Sequence, residues 1–448
     1  MRGLKGLNVL ITTVLFSLCW KYCYAPEIGE QLLAKHIVIV AILYMTIVIM
    51  LDRIYNALMV GSYRISQMIH SQALTALLSA MLAYLVVVVI KLRFANPLPL
   101  IITVAGQVIW STVWCVAANR LYFSLNKPKK TVIVYCNNKE LRKIKEIKYF
   151  NKKFKVIKYI KQPESCQQLL RDLQGAEAVF IMDLEMDIRN TVAKYCIKNN
   201  AQCYIQPYIG DLITAGAEHI QTFHVPIMRV QEAKPHFEYV VLKRLFDIAA
   251  SLLAIVVTSP FMLVTALAIK LYDGGPVLYK QVRLTKNRKE FKILKFRSMR
   301  TDAEKDGIAK LSTKNDDRIT PVGRIIRKIR LDELPQLFNI LKGDMTIVGP
   351  RPERPEIAEQ YEKEIPSFDL RLQVKAGLTG YAQIYGKYNT EPYEKLKMDL
   401  MYINRMSPIE DLRLMLATVK ILFIPESTQG IEGGQTTALQ KEKDAQKV

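Results

Sequence analysis

Before Lys127 the chain carries only three carboxylates, Glu27, Glu30 and Asp52, of the 41 in the whole sequence. That acid-poor quarter holds four apolar stretches, approximately Leu7–Tyr24, Leu32–Leu51, Ala73–Ile90 and Leu98–Phe123. Each is long enough to cross about 30 Å of hydrocarbon, which takes ~20 helical residues. Residues 1–126 therefore read as an α-helical membrane bundle of four spans. The first stretch follows Arg2 and Lys5 like a signal peptide, but no small-residue cleavage site follows and three more spans do, so retention is expected. Arg2, Lys5, Arg53, Arg64, Arg120, Lys127, Lys129 and Lys130 favour both ends in the cytoplasm. Glu27 and Glu30 mark the first outside loop, Lys91 and Arg93 in the second dissent, and Lys35 can snorkel. No paired carboxylate or His/Asp relay sits at mid-depth, so a transport path is not expected.

The remainder is densely charged. With 63 Lys+Arg against 41 Asp+Glu the net charge is +22, half the residues are hydrophobic and 23% are charged. Such a mixture excludes a disordered or collagen-like chain and fits poorly with a purely soluble basic protein. Residues 127–236 alternate short strands and helices, with strands at Thr131–Cys136, Phe154–Ile160, Ala178–Met182 and Cys203–Ile205, which predicts a parallel α/β sheet. The turn after the first strand, Cys136-Asn137-Asn138-Lys139-Glu140, lacks the glycines a pyrophosphate requires. This middle domain reads as Rossmann-like but degenerate, a spacer or regulatory module. Cysteines 19, 23, 115, 136, 166, 196 and 203 have no CxxC or zinc spacing, so free thiols are expected.

A fifth apolar run, Leu245–Leu271, would extend about 40 Å as one straight helix. Ser259-Pro260 sits in its middle, where proline removes a helix donor and predicts a kink. Both flanks are basic: Lys243 and Arg244 before, then Lys270, Lys280, Arg283, Lys286 and Arg288 after. A crossing would carry the densest positive cluster outside, against the usual bias. A re-entrant helix that dips in and returns is the expected form, with the Ser259 hydroxyl helping the freed carbonyls. Arg283–Arg300 holds eight cations against Glu290 alone. So placed, it suits anionic lipid or a phosphorylated ligand, and no nucleic-acid motif accompanies it. Phe291, Ile293, Leu294 and Phe296 interleave with the charges and predict a strand with one apolar and one cationic face.

The richest stretch is Asp316–Glu353. A helix over Val322–Ile329 is followed by Asp332-Glu333, two adjacent carboxylates among Arg324, Arg327, Arg330 and Arg351. A solvated salt-bridge cluster is the plain alternative. The Gly349-Pro350-Arg351-Pro352 turn, however, is stiff on both sides of its arginine. A held guanidinium beside a carboxylate pair suits diphosphate chemistry with a Mg²⁺ ion neutralising phosphate charge. An aspartate can also attack phosphorus itself, dividing one transfer into two steps.

From about Lys243 to Phe423 the chain resembles the monotopic phosphoglycosyl transferases, the bacterial sugar transferase family. The resemblance rests on Lys243-Arg244-Leu245-Phe246-Asp247, Thr258-Ser259-Pro260, Asp273-Gly274-Gly275-Pro276-Val277, Lys295-Phe296-Arg297-Ser298-Met299, Leu331-Asp332-Glu333-Leu334-Pro335-Gln336, Gly349-Pro350-Arg351-Pro352 and Gly377-Leu378-Thr379-Gly380-Tyr381, in that order. The preceding architecture is similar to the long form of the family. The resemblance implies an α/β catalytic domain over 237–427, with its re-entrant helix at 245–271. The implied reaction moves a sugar-1-phosphate from a UDP-sugar to undecaprenyl phosphate and releases UMP. Asp332 would be the nucleophile, forming a phosphosugar-aspartyl intermediate. Glu333 would help hold Mg²⁺ with Asp332 or orient the pair. Arg351 would bind substrate phosphate, supported by Arg327, Lys295 and Arg297, while Ser259 and Pro260 would shape the re-entrant helix.

The same resemblance implies a bacterial inner (plasma) membrane protein with its catalytic domain on the cytoplasmic face, initiating capsular or exopolysaccharide assembly. Implied partners are the UDP-sugar, undecaprenyl phosphate and anionic lipid; a homo-oligomer is an open expectation, and nucleic acid is not a partner. A departure, Lys375-Ala376-Gly377 in place of Lys-Pro-Gly, predicts a looser turn. His36, His70, His219, His224 and His236 have no metal spacing, and Tyr381, Tyr385, Tyr388 and Tyr393 suit a pocket or plain packing equally. Ala303–Lys314 reads as a loop and 428–448 as a disordered tail. Two rivals remain: a non-enzymatic membrane scaffold, which has no need of the Asp332-Glu333 pair, and a polytopic transferase, which needs more spans.

Overall fold

Apolar helices dominate the beginning of the chain. The computed structural model describes residues 1–28, 37–145, 147, 149–163, 165–222, 224–301, 303, 316–386 and 390–422. The tail 428–448, the stretch 304–314, Glu30, Lys35, His36 and Tyr388 lie outside the described residues. The chain divides into two units, Met1–Gln206 and Pro207–Val448. Among the described residues five helices are long and apolar enough to cross a membrane, four of them in the first unit: α1 (Arg2–Ile28), α2 (Ile37–Ile54), α3 (Ile65–Lys91) and α4 (Leu98–Leu125).

Polar side chains bind these helices to one another. Gln107 donates to the Thr12 carbonyl and the Tyr44 hydroxyl, both at 2.9 Å, and Ser79 donates to the same hydroxyl at 3.0 Å. The Trp114 indole N–H reaches the Leu4 carbonyl at 2.9 Å. Between apolar segments in lipid, such bonds and close packing supply the association that water would otherwise drive. The third helix begins at Ile65, earlier than the apolar run predicts, because Gln72 is satisfied inside the bundle. It accepts from Asn8 and donates to the Ala57 carbonyl, each at 3.3 Å. Lys91, the dissenter in the charge pattern, pairs with Glu27 near the end of α1.

After α4 come β1 (Lys129–Tyr135), β2 (Phe154–Lys161), β3 (Ala178–Met182) and β4 (Gln202–Ile205), in the order β2-β1-β3-β4 and all parallel. Val132 and Val134 face a core with Leu169, Leu173, Val192 and Cys196, whereas Ile133 faces Ile144, Phe150 and Phe180. A strand buried on both faces belongs to a parallel sheet covered by helices on either side. All seven cysteines are free thiols.

In the second unit, residues 207–236, which the sequence groups with the middle domain, pack with the C-terminal part: Leu212 joins its core and Asn404 donates to the Leu212 carbonyl. A hairpin of β5 (Glu218–Thr222) and β6 (Val225–Arg229) follows, then α5 (Phe237–Asp273). Where a break is expected, α5 is one continuous helix with Pro260 inside it. The reason lies in one hydrogen bond. Proline at 260 has no N–H for the carbonyl four residues back. That carbonyl, of Val256, accepts from the Ser259 hydroxyl at 2.8 Å.

Both ends of α5 hold to the same α/β body. The Arg244 guanidinium donates to the Ile340 and Leu341 carbonyls at 2.6 and 2.7 Å, and Lys243 pairs with Asp411 at 2.7 Å. At the far end Asp273 takes the fork of Arg297. Ala250, Ala254 and Ile255 pack on the core around Ile340 and Ile347, while Met262, Ala266 and Ile269 pack with Phe296 and Ile326. Near its start, buried Asp247 accepts from the Thr346 hydroxyl at 2.6 Å and the Ile347 N–H at 3.0 Å. Asp247→Ala leaves that N–H and hydroxyl buried and unpaired, a cost of about 1–3 kcal/mol. Thermal unfolding of the detergent-purified protein should shift down accordingly, and an unchanged midpoint refutes this anchor.

Candidate active site

Three groups of elements bring the site together. Strands β7 (Leu278–Leu284) and β8 (Glu290–Phe296) form an antiparallel hairpin; α6 (Pro321–Lys328) and α7 (Gln336–Lys342) flank a 3-10 turn over Leu331–Glu333; β9 (Thr346–Val348) pairs in parallel with β10 (Gly377–Thr379). Thr320 caps α6, its hydroxyl accepting from the Gly323 N–H at 2.9 Å. Between α6 and the turn, Arg330 adopts φ 56, ψ 23. A left-handed arginine is strained, and here it swings the chain so that the next turn carries Asp332 and Glu333.

Asn339 of α7 fixes the turn against β8. Its side chain accepts from the Leu294 N–H and donates to the Lys292 carbonyl, both at 2.9 Å, as a neighbouring strand would. Successive strand residues alternate faces. Lys295 therefore shares a face with buried Phe291 and Ile293, not with a separate cationic face as the interleaved sequence predicts. The other face carries Phe296 into a second cluster with Ile269 and Ile326.

Lys295 consequently points inward, 3.2 Å from a Glu333 oxygen. Arg351 reaches the same oxygen at 3.3 Å from the turn after β9. Burial alone would raise the Glu333 carboxyl, but Lys295, Arg351 and Arg330 outweigh it and hold it well below the usual carboxylate range. Burial lowers the Lys295 ammonium against the opposing pull of Glu333. Asp332 is the contrary case. Burial and then the Glu333 charge push its carboxyl up to about 6, against Lys295, Arg327 and Arg351. Among the described residues the Asp332 side chain makes no hydrogen bond or ion pair.

The structure thus joins Asp332, Glu333, Lys295 and Arg351, with Arg327 acting at longer range. Arg324 is exposed. Arg297 is spent elsewhere: it is buried, its fork on Asp273 and its Nε on the Pro276 carbonyl at 2.7 Å. Tyr381 is buried and donates to Glu410 at 2.7 Å, and Tyr393 lies under the Lys397 ammonium, so both pack. Sequence reasoning missed a charge group behind the Arg351 turn, in which Arg371 and Asp399 are buried and Arg283, Glu353 and Lys395 partly so. The available signal was Asp399 set among the core positions Leu396, Leu400 and Ile403 of one helix.

The two glycine-containing turns lock backbone to backbone. The Gly349 N–H donates to the Thr379 carbonyl and the Gly377 N–H to the Pro350 carbonyl, both at 2.8 Å. The Lys375-Ala376-Gly377 turn is not loose. The Ala376 N–H, which proline would lack, donates to the Thr285 hydroxyl at 3.1 Å, and that hydroxyl donates to the Asp344 carbonyl at 3.0 Å.

With that geometry established, comparison with known proteins is decisive. The pattern of the bacterial sugar transferase family matches residues 238–425. An exopolysaccharide production protein of Rhizobium leguminosarum bv. phaseoli is 42% identical over 199 residues, 42% of this chain and 97% of that protein. The chain belongs to the bacterial sugar transferase family. Longer family members match in part. A UDP-N-acetylgalactosamine-undecaprenyl-phosphate N-acetylgalactosaminephosphotransferase of Aeromonas hydrophila is 41% identical over 188 residues, 41% of this chain and 44% of its own. A UDP-glucose:undecaprenyl-phosphate glucose-1-phosphate transferase of Klebsiella pneumoniae is 39% identical over 251 residues, 54% of this chain and 53% of its own. The chain thus spans about half the length of these two sugar transferase relatives.

A Cβ on Gly377 would lie 2.1 Å from the Gly349 nitrogen and 2.5 Å from its Cα. Backbone cannot yield as a side chain does, so Gly377→Ala should cost about 1–3 kcal/mol. A melting temperature lower by several degrees is the expected result, and an unshifted one means the two turns are not in contact.

Proposed function

We propose that this chain transfers a sugar-1-phosphate from a UDP-sugar to undecaprenyl phosphate and releases UMP, starting a surface polysaccharide. The observation that carries the reading is the division within the Asp332-Glu333 pair. Glu333 is held ionised by Lys295 and Arg351, while among the described residues Asp332 makes no hydrogen bond or ion pair. An oxygen of Asp332 attacks the phosphorus that bears the sugar. The phosphoanhydride bond to UMP breaks, UMP leaves with the electron pair, and an acyl phosphate joins the sugar to Asp332. The phosphate oxygen of undecaprenyl phosphate then attacks that phosphorus and frees the Asp332 carboxylate. Arg351 and Lys295 balance the charge that develops on phosphate oxygens, as fixed cations do without reorganisation. Relatives of the family are named for glucose and for N-acetylgalactosamine transfer, so the donor sugar is left open here.

The donor set suits Mg²⁺, which is commonly bound by one or two carboxylates plus substrate phosphates rather than by a protein cage. Among the described residues no three His, Cys, Asp or Glu side chains converge, whereas the adjacent Asp332 and Glu333 provide such a pair. Mg²⁺ there would neutralise diphosphate charge.

The membrane arrangement follows the same reading. Four spans anchor the bundle in the bacterial inner membrane, and α5 enters and leaves on the cytoplasmic face, where anionic headgroups meet its basic flanks. Support comes from the attachment of both ends of α5 to one body and from its outward side, where Leu253, Val256, Val257, Leu263 and Val264 are all more than half exposed. The parallel sheet of the first unit is a nucleotide-type fold turned to spacing or regulation.

Purified membranes given UDP-sugars, Mg²⁺ and undecaprenyl phosphate should release UMP with one donor, and Asp332→Asn should abolish it without loss of insertion. Release of UDP, or turnover retained in that variant, contradicts the mechanism. Cysteines introduced by Glu238→Cys and Tyr272→Cys should both react with an impermeant thiol reagent from the cytoplasmic side of inverted vesicles. Labelling of the two from opposite sides would make α5 a crossing helix.

A further inference from the structure

Arg351 touches Glu333, yet its turn is held from behind by groups with no part in the reaction proposed above. Arg371 is 3% exposed. One of its terminal nitrogens donates to the Arg351 carbonyl at 2.8 Å and pairs with Asp399, itself 1% exposed, at 2.8 Å. Its other terminal nitrogen lies 3.7 Å from Glu353. The next carbonyl of the turn, that of Pro352, accepts from Arg283 at 3.1 Å, and Arg283 lies 3.9 Å from the second Glu353 oxygen. The Arg371 guanidinium lies over the Phe368 ring, 5.0 Å from its centroid. Enclosing four charged groups, Arg371 and Asp399 fully and Arg283 and Glu353 in large part, is costly unless they are paired. Two of them spend donors on successive main-chain carbonyls of a turn already stiffened by Pro350 and Pro352, and so fix the backbone that carries Arg351.

We propose that Arg371, oriented by Asp399, is a positioning residue that holds the Arg351 backbone so that the Arg351 guanidinium meets Glu333 and the substrate phosphate. The inference rests on the transferase reading and adds to it a residue that acts only through another. One nitrogen of the rigid guanidinium lies 2.8 Å from both the Asp399 carboxylate and the Arg351 carbonyl, a placement that an ammonium on a flexible stem does not hold in a fixed direction. Misplacement of a phosphate-binding group by about 1 Å costs on the order of 100-fold in rate.

The test is a double-mutant cycle on UMP release by the full-length protein: wild type, Arg371→Lys, Arg351→Ala and the double variant, with kcat and KM for the donor measured separately. Arg371→Lys should lose roughly 10- to 100-fold in kcat/KM. The double variant should be no worse than Arg351→Ala alone, because Arg371 has nothing left to position. Multiplied losses in the double variant, or an Arg371→Lys protein as active as wild type, overturn the inference. If Arg371→Lys does not fold, Asp399→Asn replaces it in the same cycle with the same expectations. A wild type that releases UMP from no donor overturns the transferase reading and this inference together, whereas additivity in an active enzyme overturns the inference alone.

Discussion

Glu333 is the point on which the catalytic unit is assembled. Its single oxygen receives Lys295 from a strand and Arg351 from a turn, two elements far apart in the chain. Burial raises the carboxyl of a part-buried glutamate and lowers a part-buried ammonium. Here each of the two opposes that shift in the other. The ion pair is thus less a source of stability than a register mark, since it is satisfied only when the β7–β8 hairpin, the 3-10 turn and the β9–β10 pair sit together.

Helix α5 gives that assembly its place. Asp247 binds the backbone at Thr346 and Ile347, immediately before the strand that leads to Arg351. The same helix thus carries exposed leucines and valines and the anchor of that strand. On the proposed reading, the site is held at headgroup level by direct hydrogen bonding to the membrane element and not through a linker. The Ser259 bond to the Val256 carbonyl lets proline sit in that helix without exposing a bare carbonyl to hydrocarbon.

Much of this was legible in the sequence because short-range chemistry writes it there. Acid-poor apolar runs announce helices, β-branched alternation announces the parallel sheet, and the stiff Gly-Pro-Arg-Pro turn announces a held guanidinium. What was not legible depends on parity and on long-range pairing. One residue of strand phase decides whether Lys295 faces Glu333 or solvent, and a run of cations interrupted by phenylalanines does not reveal it. Arg297 resembles a ligand for phosphate in its motif, but Asp273, which claims it, lies 24 positions away. Ala376 reads as a lost proline, whereas its N–H has a partner that only the fold supplies. Arg371 and Asp399 are ordinary charged residues on separate elements until folding buries them together.

The adjacency of Asp332 and Glu333 resolves into two environments in the same way. Identical chemistry at neighbouring positions would give two equal acids, and two equal acids this close would share one proton between them. Lys295 and Arg351 both select Glu333, and the strained Arg330 fixes which carboxylate is offered to them. Glu333 becomes a permanent charge, and Asp332, raised toward 6 by burial and by that charge, remains the more basic of the two. On the proposed reading, the carboxylate that is more basic and, among the described residues, without an ion-pair partner is the better nucleophile at neutral pH, and the fixed cations beside it suit the phosphate it would attack. The unequal pairing, more than the presence of two acids, is what separates this site from a surface salt-bridge cluster.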